Sequence, residues 1–390
     1  MAFVIGNFDA QLLPDDVKTA LDEDVPMYGV KFNGVDSAGI RTYDAATLNW
    51  SRSSNEVRGI DDFENLPPFN VKECVTKFNS STGEREVLAY KGDSGYASAK
   101  ADTDADVMIE VPCFWYKRPS KWEWIVAPRA KAGFKPSPMH YRNGILYDKV
   151  RITKYALNND FVSQTGYRPR VSTDMNTFRD NLRSKGMYML DYNTWCSLVI
   201  LMIIKYSNLD VQNVVGRGKY TGNSTIQSGG ADNVLGIDGS PTSITVNESC
   251  LTFGIENFFS NIFKYVDGIF LHNLVLYWRD VESMSSDPSD YSELISFYTP
   301  VATNTITTSS GNGNVSDIAF DSGFDWMQFP ISSSSSNPTG DTWWIQNNML
   351  ACCCMGGDAW ENLACGLFCF AADSSVGFTS IGIGTMGIEF

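Results

Sequence analysis

The chain has 390 residues, 43% of them hydrophobic and only 19% charged, with a formal net charge of −15. That length and apolar content suffice for one large or two ordinary buried cores. The acidic excess argues against a nucleic-acid backbone as partner, because phosphate contacts need clustered Lys and Arg. The longest apolar run, Leu198–Ile204, falls far short of the roughly 20 residues of a bilayer span, so no membrane insertion is expected.

The opening segment MAFVIGNFDAQLLPDD has no basic leader, and Asp9 interrupts its apolar stretch. The cysteine count of nine is odd and the spacings suggest no disulfide framework, which predicts synthesis in a reducing cytosol, where the protein either stays or leaves by lysis rather than secretion. Residues 1–50 mix short apolar patches with Gly and Asp turns and read as a few short strands. Residues 51–105 read as polar, with Pro67-Pro68 and the acidic run Asp102, Asp104, Asp106. Val107–Tyr116 (VMIEVPCFWY) is dense in β-branched and aromatic residues and predicts a strand, with a second at Trp122–Val126.

Two helices follow. The first is expected from about Thr173 to Lys185, with Ser172 or Thr173 as N-cap and Gly186 as its stop. The second is expected after Asp191, from Tyr192 to about Tyr206. Its centre LVILMII is apolar all round, which predicts a helix covered on every side. Beyond Ser207, Gly/Ser/Asn loops alternate with expected aromatic strands at Phe253–Phe259, Tyr265–Leu276, Phe324–Phe329 and Trp343–Cys354, and Ser332–Ser336 reads as a loop. Helices early and short strands later, joined by long loops, give an α+β class.

Several apparent motifs fail on their own chemistry. Gly92-Asp93-Ser94-Gly95 imitates a serine-protease nucleophile loop, but both histidines, His140 and His272, lie after Ser94, so a polar turn is the better reading. Asp102-Thr103-Asp104-Ala105-Asp106 begins like a calcium loop, yet Val107 and Cys113 stand where Gly and Glu are needed. Gly382-Ile383-Gly384-Thr385-Met386-Gly387 has dinucleotide-binding spacing but no following helix, so the glycines are expected to relieve crowding in the last strand. Adjacent cysteines Cys352-Cys353-Cys354 on a strand point to opposite faces and cannot share a metal. Acidic pairs such as Asp15-Asp16 and Asp61-Asp62 cannot be placed across a cleft. Neither a cofactor nor a metal is expected. Trp115, Trp122, Trp124, Trp278, Trp326, Trp343 and Trp344 fit core packing better than a glycan site.

The last forty residues, ACCCMGGDAWENLACGLFCFAADSSVGFTSIGIGTMGIEF, are the most informative. Residues with backbone roles (Gly356-Gly357, Trp360, Gly366-Leu367-Phe368, Ile383-Gly384) alternate with side chains of no shared chemistry: Cys352, Cys353, Cys354, Asp358, Ala359, Leu363, Cys365, Cys369, Phe378 and Ser380. A catalytic site would need a definite acid, base or nucleophile here. The pattern suits a rigid frame carrying variable side chains, and these ten positions are expected to be exposed and ligand-binding. The alternative is an ordinary strand with buried thiols, since free Cys is often buried.

The residues IEVPCFWYKR (109–118), GYRPRVSTDMNTFRDNLRSKG with the apolar helix after it, IENFFSNIFKYVDGI (255–269), FDWMQFP (324–330), CMGGDAW (354–360), GLFCF (366–370) and IGT (383–385) occur in an order that resembles one family. It is that of phage tail minor structural proteins and the variable proteins of diversity-generating retroelements. Met386 stands where that family usually has Arg, which puts a local ion pair in doubt.

The resemblance implies a C-type-lectin fold of the formylglycine-generating-enzyme type over residues 105–390, with a variable region at about 345–390. A small β-rich region, 1–104, would anchor or pack beside it. It implies a non-enzymatic, receptor-binding protein of a phage tail tip, made in the host cytoplasm and carried on the virion. Its partners would be a bacterial surface receptor, protein or glycan, and other tail proteins, with homo-oligomerisation, for instance as a trimer, compatible. In diversified members, adenine-directed mutagenesis turns Asn codons into codons for Cys, Asp, Ala, Phe, Leu, Ser or Gly. The ten positions hold only such residues, whereas Glu361 would have to be fixed. The rival implications are a purely structural baseplate component, and an oxidase on the same fold using a cysteine pair. The pattern around Cys365 and Cys369 does not match that oxidase.

Overall fold

The computed structural model describes residues 3–4, 25–281, 288, 291–301, 306, 311–346, 349–360, 365–375 and 377–390. It is a mixed α/β structure, mostly strands with few helices: α1 (Tyr96–Lys100), α2 (Met175–Arg183), α3 (Tyr192–Tyr206) and α4 (Tyr291–Phe297).

α3 organises the interior. All fifteen of its residues are buried, as an all-round apolar sequence requires. It packs against the strands Phe263–His272, Tyr28–Lys31 and Glu123–Ala127, so it is covered from two sheets. Asp191 caps it by accepting the Thr194 amide at 2.9 Å, and the same carboxylate pairs with buried Arg142. At its other end Lys205 lies buried between Asp61 (2.7 Å) and Asp238 (2.6 Å), and Ser207 ends the helix in the left-handed region at φ 51°. α2 begins two residues later than expected, capped by Asp174 rather than Ser172 or Thr173, and Gly186 beyond its end takes φ 67°.

Three sheets of five or more strands are described. The first runs Tyr188–Met189, Gly387–Glu389, Lys149–Thr153, Asp106–Pro112, Lys72–Asn79, Glu84–Tyr90. The second runs Thr299–Pro300, Val275–Trp278, Phe263–His272, Leu350–Met355, Phe370–Ser375, Thr342–Ile345, Gly311–Ile318, Pro330–Ser333, with Ile383–Gly384 parallel to the start of Phe263–His272. The third runs Ile40–Tyr43, Tyr28–Lys31, Glu123–Ala127, Trp115–Ser120, Lys135–Pro136.

The Lys72–Asn79/Glu84–Tyr90 hairpin was not expected in a segment that reads as polar. Its outer strand alternates exposed and covered residues, the pattern of a charged sheet edge. Because Lys72–Asn79 pairs with Asp106–Pro112, residues on both sides of position 104 hydrogen-bond in one sheet. The strand expected at Val107–Tyr116 breaks at Cys113-Phe114 into two strands belonging to different sheets. Phe253–Phe259 is not a strand. Phe253 and Asn257 have φ of 51° and 50°, leaving a two-residue pairing of Leu251–Thr252 with Ile255–Glu256. Phe324–Phe329 is a turn that buries Trp326, Met327 and Phe329. Trp115, Trp124, Trp326 and Trp343 are core residues, and Trp122, Trp278 and Trp344 are half-buried.

Gly387–Glu389 sits inside the first sheet, and a Cβ at Gly387 would meet Leu182 and Met187 at 3.1 Å, the crowding expected of this glycine. Met386 is buried. The ion pairs of this strand come from Glu389, which holds Arg85 (3.1 Å) and Arg151 (2.5 Å).

Candidate recognition surface in the C-terminal segment

Leu350–Met355 is a central strand between Phe263–His272 and Phe370–Ser375, and every residue in it but Leu350 is buried, so both of its faces are covered as well. Cys353 points into the core around α3. Cys352 and Cys354 point the other way, into a second cluster with Phe263, Tyr265, Phe270 and Cys369. The expected exposure therefore fails for Cys352, Cys353, Cys354, Asp358, Ala359, Cys365 and Cys369, all of which are buried. The reading of an ordinary strand with buried thiols holds for Cys352, Cys353 and Cys354, whereas Cys365 and Cys369 are buried in the turn between strands. Burial raises the Cys353 and Cys354 thiols well above their usual range, so they are inert rather than nucleophilic. Leu363 lies outside the described residues.

The frame is tightly built. Gly356 and Gly357 have φ of 93° and 74°, and a Cβ on Gly357 would lie 2.6 Å from Cys365 Sγ. A Cβ on Gly366 would collide with the carboxylate of Asp341, which accepts the Phe368 amide at 2.8 Å. Trp195 of α3 donates its indole N–H to the Leu367 carbonyl (3.2 Å) and stacks on Phe258 at 4.2 Å. Asp358 accepts the Trp360 amide at 2.8 Å, and Cys365 donates its S–H to the Asp358 carbonyl at 3.1 Å. Asp358 thus serves the turn. Beneath it Lys264 is fully buried, donating to the Ser260 carbonyl at 2.7 Å, and burial pushes its ammonium down to about 7.

Of the ten positions, Phe378 is 41% exposed and Ser380 half-buried. They belong to a tip, residues 377–381, that also carries Ile381, 63% exposed, and exposed Thr379. The tip's backbone is held on several sides. Tyr265 donates its hydroxyl to the Phe378 carbonyl, Ser172 its amide to the Ser380 carbonyl (2.8 Å), and Gly382 its amide to Ser380 Oγ (3.2 Å). Phe263 in turn donates its amide to the Gly382 carbonyl at 2.8 Å. Exposed Asn223 reaches the same region through its amide, which donates to the Ala359 carbonyl at 3.3 Å. Ile381 went unrecognised in sequence reasoning; its only signal was an apolar side chain between Ser380 and Gly382 in a turn.

The remaining sequence motifs serve structure. Gly92–Gly95 is an exposed turn before α1. Asp102 and Asp104 pair with Lys77, and Asp106 is buried against Arg85 at 2.7 Å. His140 is buried with its ring on the Val111 carbonyl (3.1 Å). Among the described residues no helix is long and apolar enough to cross a membrane, and no group of three or more His, Cys, Asp or Glu is placed to hold a metal ion.

No protein-family model matches the chain, and no curated protein matches it in sequence. Among solved structures it has a distant similarity to three titled as variants of the Major Tropism Determinant. The M1 variant is 11% identical over 81% of this chain and 71% of that one, at a TM-score of 0.30. The U1 variant is 10% identical over the same shares, also at 0.30. The I1 variant is 11% identical over 97% of this chain and 87% of that one, at 0.29.

Proposed function

We propose that the chain is a receptor-binding protein of a phage tail tip, which presents a small apolar surface to a bacterial surface molecule on a C-type-lectin-like scaffold. The observation that carries this reading is the tip: Phe378 and Ile381 stand exposed on a loop whose backbone is anchored to a buried frame. Exposed apolar side chains are costly on an isolated surface and mark interaction sites, and a pre-held loop loses little entropy when it binds. Binding contacts are assigned to Phe378, Ser380 and Ile381. The seven buried positions shape the frame beneath, where variation is restricted to side chains that fit. The scaffold spans about 105–390, with the region before it packed alongside. Several copies on one tail would sum weak contacts into firm adsorption.

The test is retention of the labelled protein by a panel of bacterial strains. Strain-selective retention is expected, and it is lost in Phe378→Ser/Ile381→Ser at unchanged melting temperature. Retention identical in the double variant would overturn the assignment. Amplicon sequencing of codons 345–390 across a propagated population tests diversification. Changes are expected at the tip, with Gly356, Gly357, Trp360 and Gly366 intact, whereas changes spread evenly over frame and tip would count against it.

A further inference from the structure

Cys354 is buried, yet a single side chain separates it from the exposed tip. In the second sheet Tyr265 of Phe263–His272 is directly opposed to Cys354, and Ala371 of Phe370–Ser375 is opposed to Cys354 on its other side. Opposed residues of an antiparallel pair project from the same face, with Cβ atoms about 5 Å apart. Tyr265, Cys354 and Cys369 accordingly share the second cluster, whereas Cys353 belongs to the core around α3. The Tyr265 ring is fully buried, with Phe178 of α2 against it at 6.4 Å between ring centroids. Its hydroxyl reaches out of the cluster and donates to the Phe378 carbonyl.

Two features make this row adjustable. The register with both neighbouring strands shifts between Cys352 and Cys354, so regular pairing is interrupted next to the Tyr265–Cys354 pair. Such irregularities re-aim side chains. Cys is also a small neighbour for a Tyr ring, and in a close-packed interior a change of one methylene is felt by whatever lies beside it. The tip at 377–381 follows Phe370–Ser375, the strand on the other side of Cys354, so both of the tip's supports meet at this position.

We propose that Cys354 is a positioning residue for recognition. The volume of the side chain at 354 sets where the Tyr265 ring rests, and through the Tyr265 hydroxyl it sets how Phe378, Ser380 and Ile381 are presented, without touching the target. The inference rests on the tip being the binding surface. Cys353, also buried and one residue away, serves as the control because it faces the other core.

The experiment is amide hydrogen exchange on the full chain, read at 377–381 against α3, for Cys354→Ala, the milder Cys354→Ser and Cys353→Ala, each with and without Tyr265→Phe. Cys354→Ala is expected to speed exchange at the tip about fivefold beyond any change in α3, the equivalent of one weakened hydrogen bond. Cys354→Ser, close to Cys in size, should move it less. In the Tyr265→Phe background Cys354→Ala should add nothing, because the bond it acts through is gone. Tip exchange unchanged in Cys354→Ala, equal effects at 353 and 354, or full additivity with Tyr265→Phe would each overturn the proposal. Retention by the strain panel separates the two readings. If the parent is retained by no strain, the tip reading fails while exchange still decides for or against Cys354. If the parent is retained selectively and Cys354→Ala leaves the relative retention of the strains unchanged, the role of Cys354 alone fails.

Discussion

The buried ring of Tyr265 hands its hydroxyl to the carbonyl of Phe378, joining the second cluster to the exposed tip at 377–381. Tyr265→Phe keeps the ring and removes that bond. It should cost about 1 kcal/mol in global stability and speed amide hydrogen exchange across residues 377–383 more than elsewhere. Exchange that rises uniformly through Phe263–His272 would show that the hydroxyl supports the strand and not the tip.

Frame and tip should separate in a mutational comparison. Gly357→Ala places a side chain at φ 74° against Cys365 Sγ, and should destabilise by roughly 2 kcal/mol or more in denaturant unfolding. Phe378→Ala should stay within about 0.5 kcal/mol of the parent, because its side chain is not part of the core. Equal losses in the two variants would contradict the division.

Lys264 makes a pH signature. Its ammonium titrates near 7 in the fold against an ordinary value of 10.5, so the unfolded chain binds the extra proton between those values. Stability is therefore reduced in full below about pH 7 and recovers as pH rises toward 10.5. Lys264→Met should gain roughly 4 kcal/mol over the parent at pH 7, shrinking to about 1 kcal/mol at pH 10. A difference independent of pH would mean that the lysine keeps its ordinary proton affinity in the fold.

The thiols offer a chemical check. Eight cysteines are buried and Cys113 is half-buried, with its thiol raised to about 12 by burial and the nearby Asp148. Brief alkylation of the native protein at neutral pH should modify at most Cys113, whereas the denatured chain should take nine adducts. Rapid native labelling of Cys352, Cys353 or Cys354 would return those residues to the surface.

What could be read in the sequence was local. α3 and its Asp191 cap follow from an apolar helix behind an acidic N-cap, and the Val266-Asp267-Gly268 run has visible work: Asp267 grips Arg179 at 3.0 and 2.8 Å, while Gly268 bends the strand at φ 80°. The Gly356-Gly357 turn was equally legible. What could not be read depended on partners distant in sequence. Three adjacent cysteines look the same on a half-exposed strand and on a central one. Only the core around α3 on one face, and the cluster of Phe263, Tyr265 and Phe270 on the other, decide between them. The Lys72–Tyr90 hairpin was missed because its charged residues resemble a loop until Arg85 is seen against Asp106 and Glu389.

The placement of Gly387–Glu389 inside the first sheet acts as a proofreading step on everything encoded before it. A chain stopped or frameshifted anywhere in the preceding forty residues leaves Tyr188–Met189 and Lys149–Thr153 facing a gap, with Arg85 and Arg151 stripped of Glu389. Arg85 keeps Asp106 and Arg151 keeps Glu110, so each lost charge-assisted bond costs on the order of 1.5–3 kcal/mol, still a large share of the stability of an ordinary domain. A changed side chain at the tip passes this inspection, but a truncated reading frame does not. Folding itself thus sorts tolerable variation from ruinous variation.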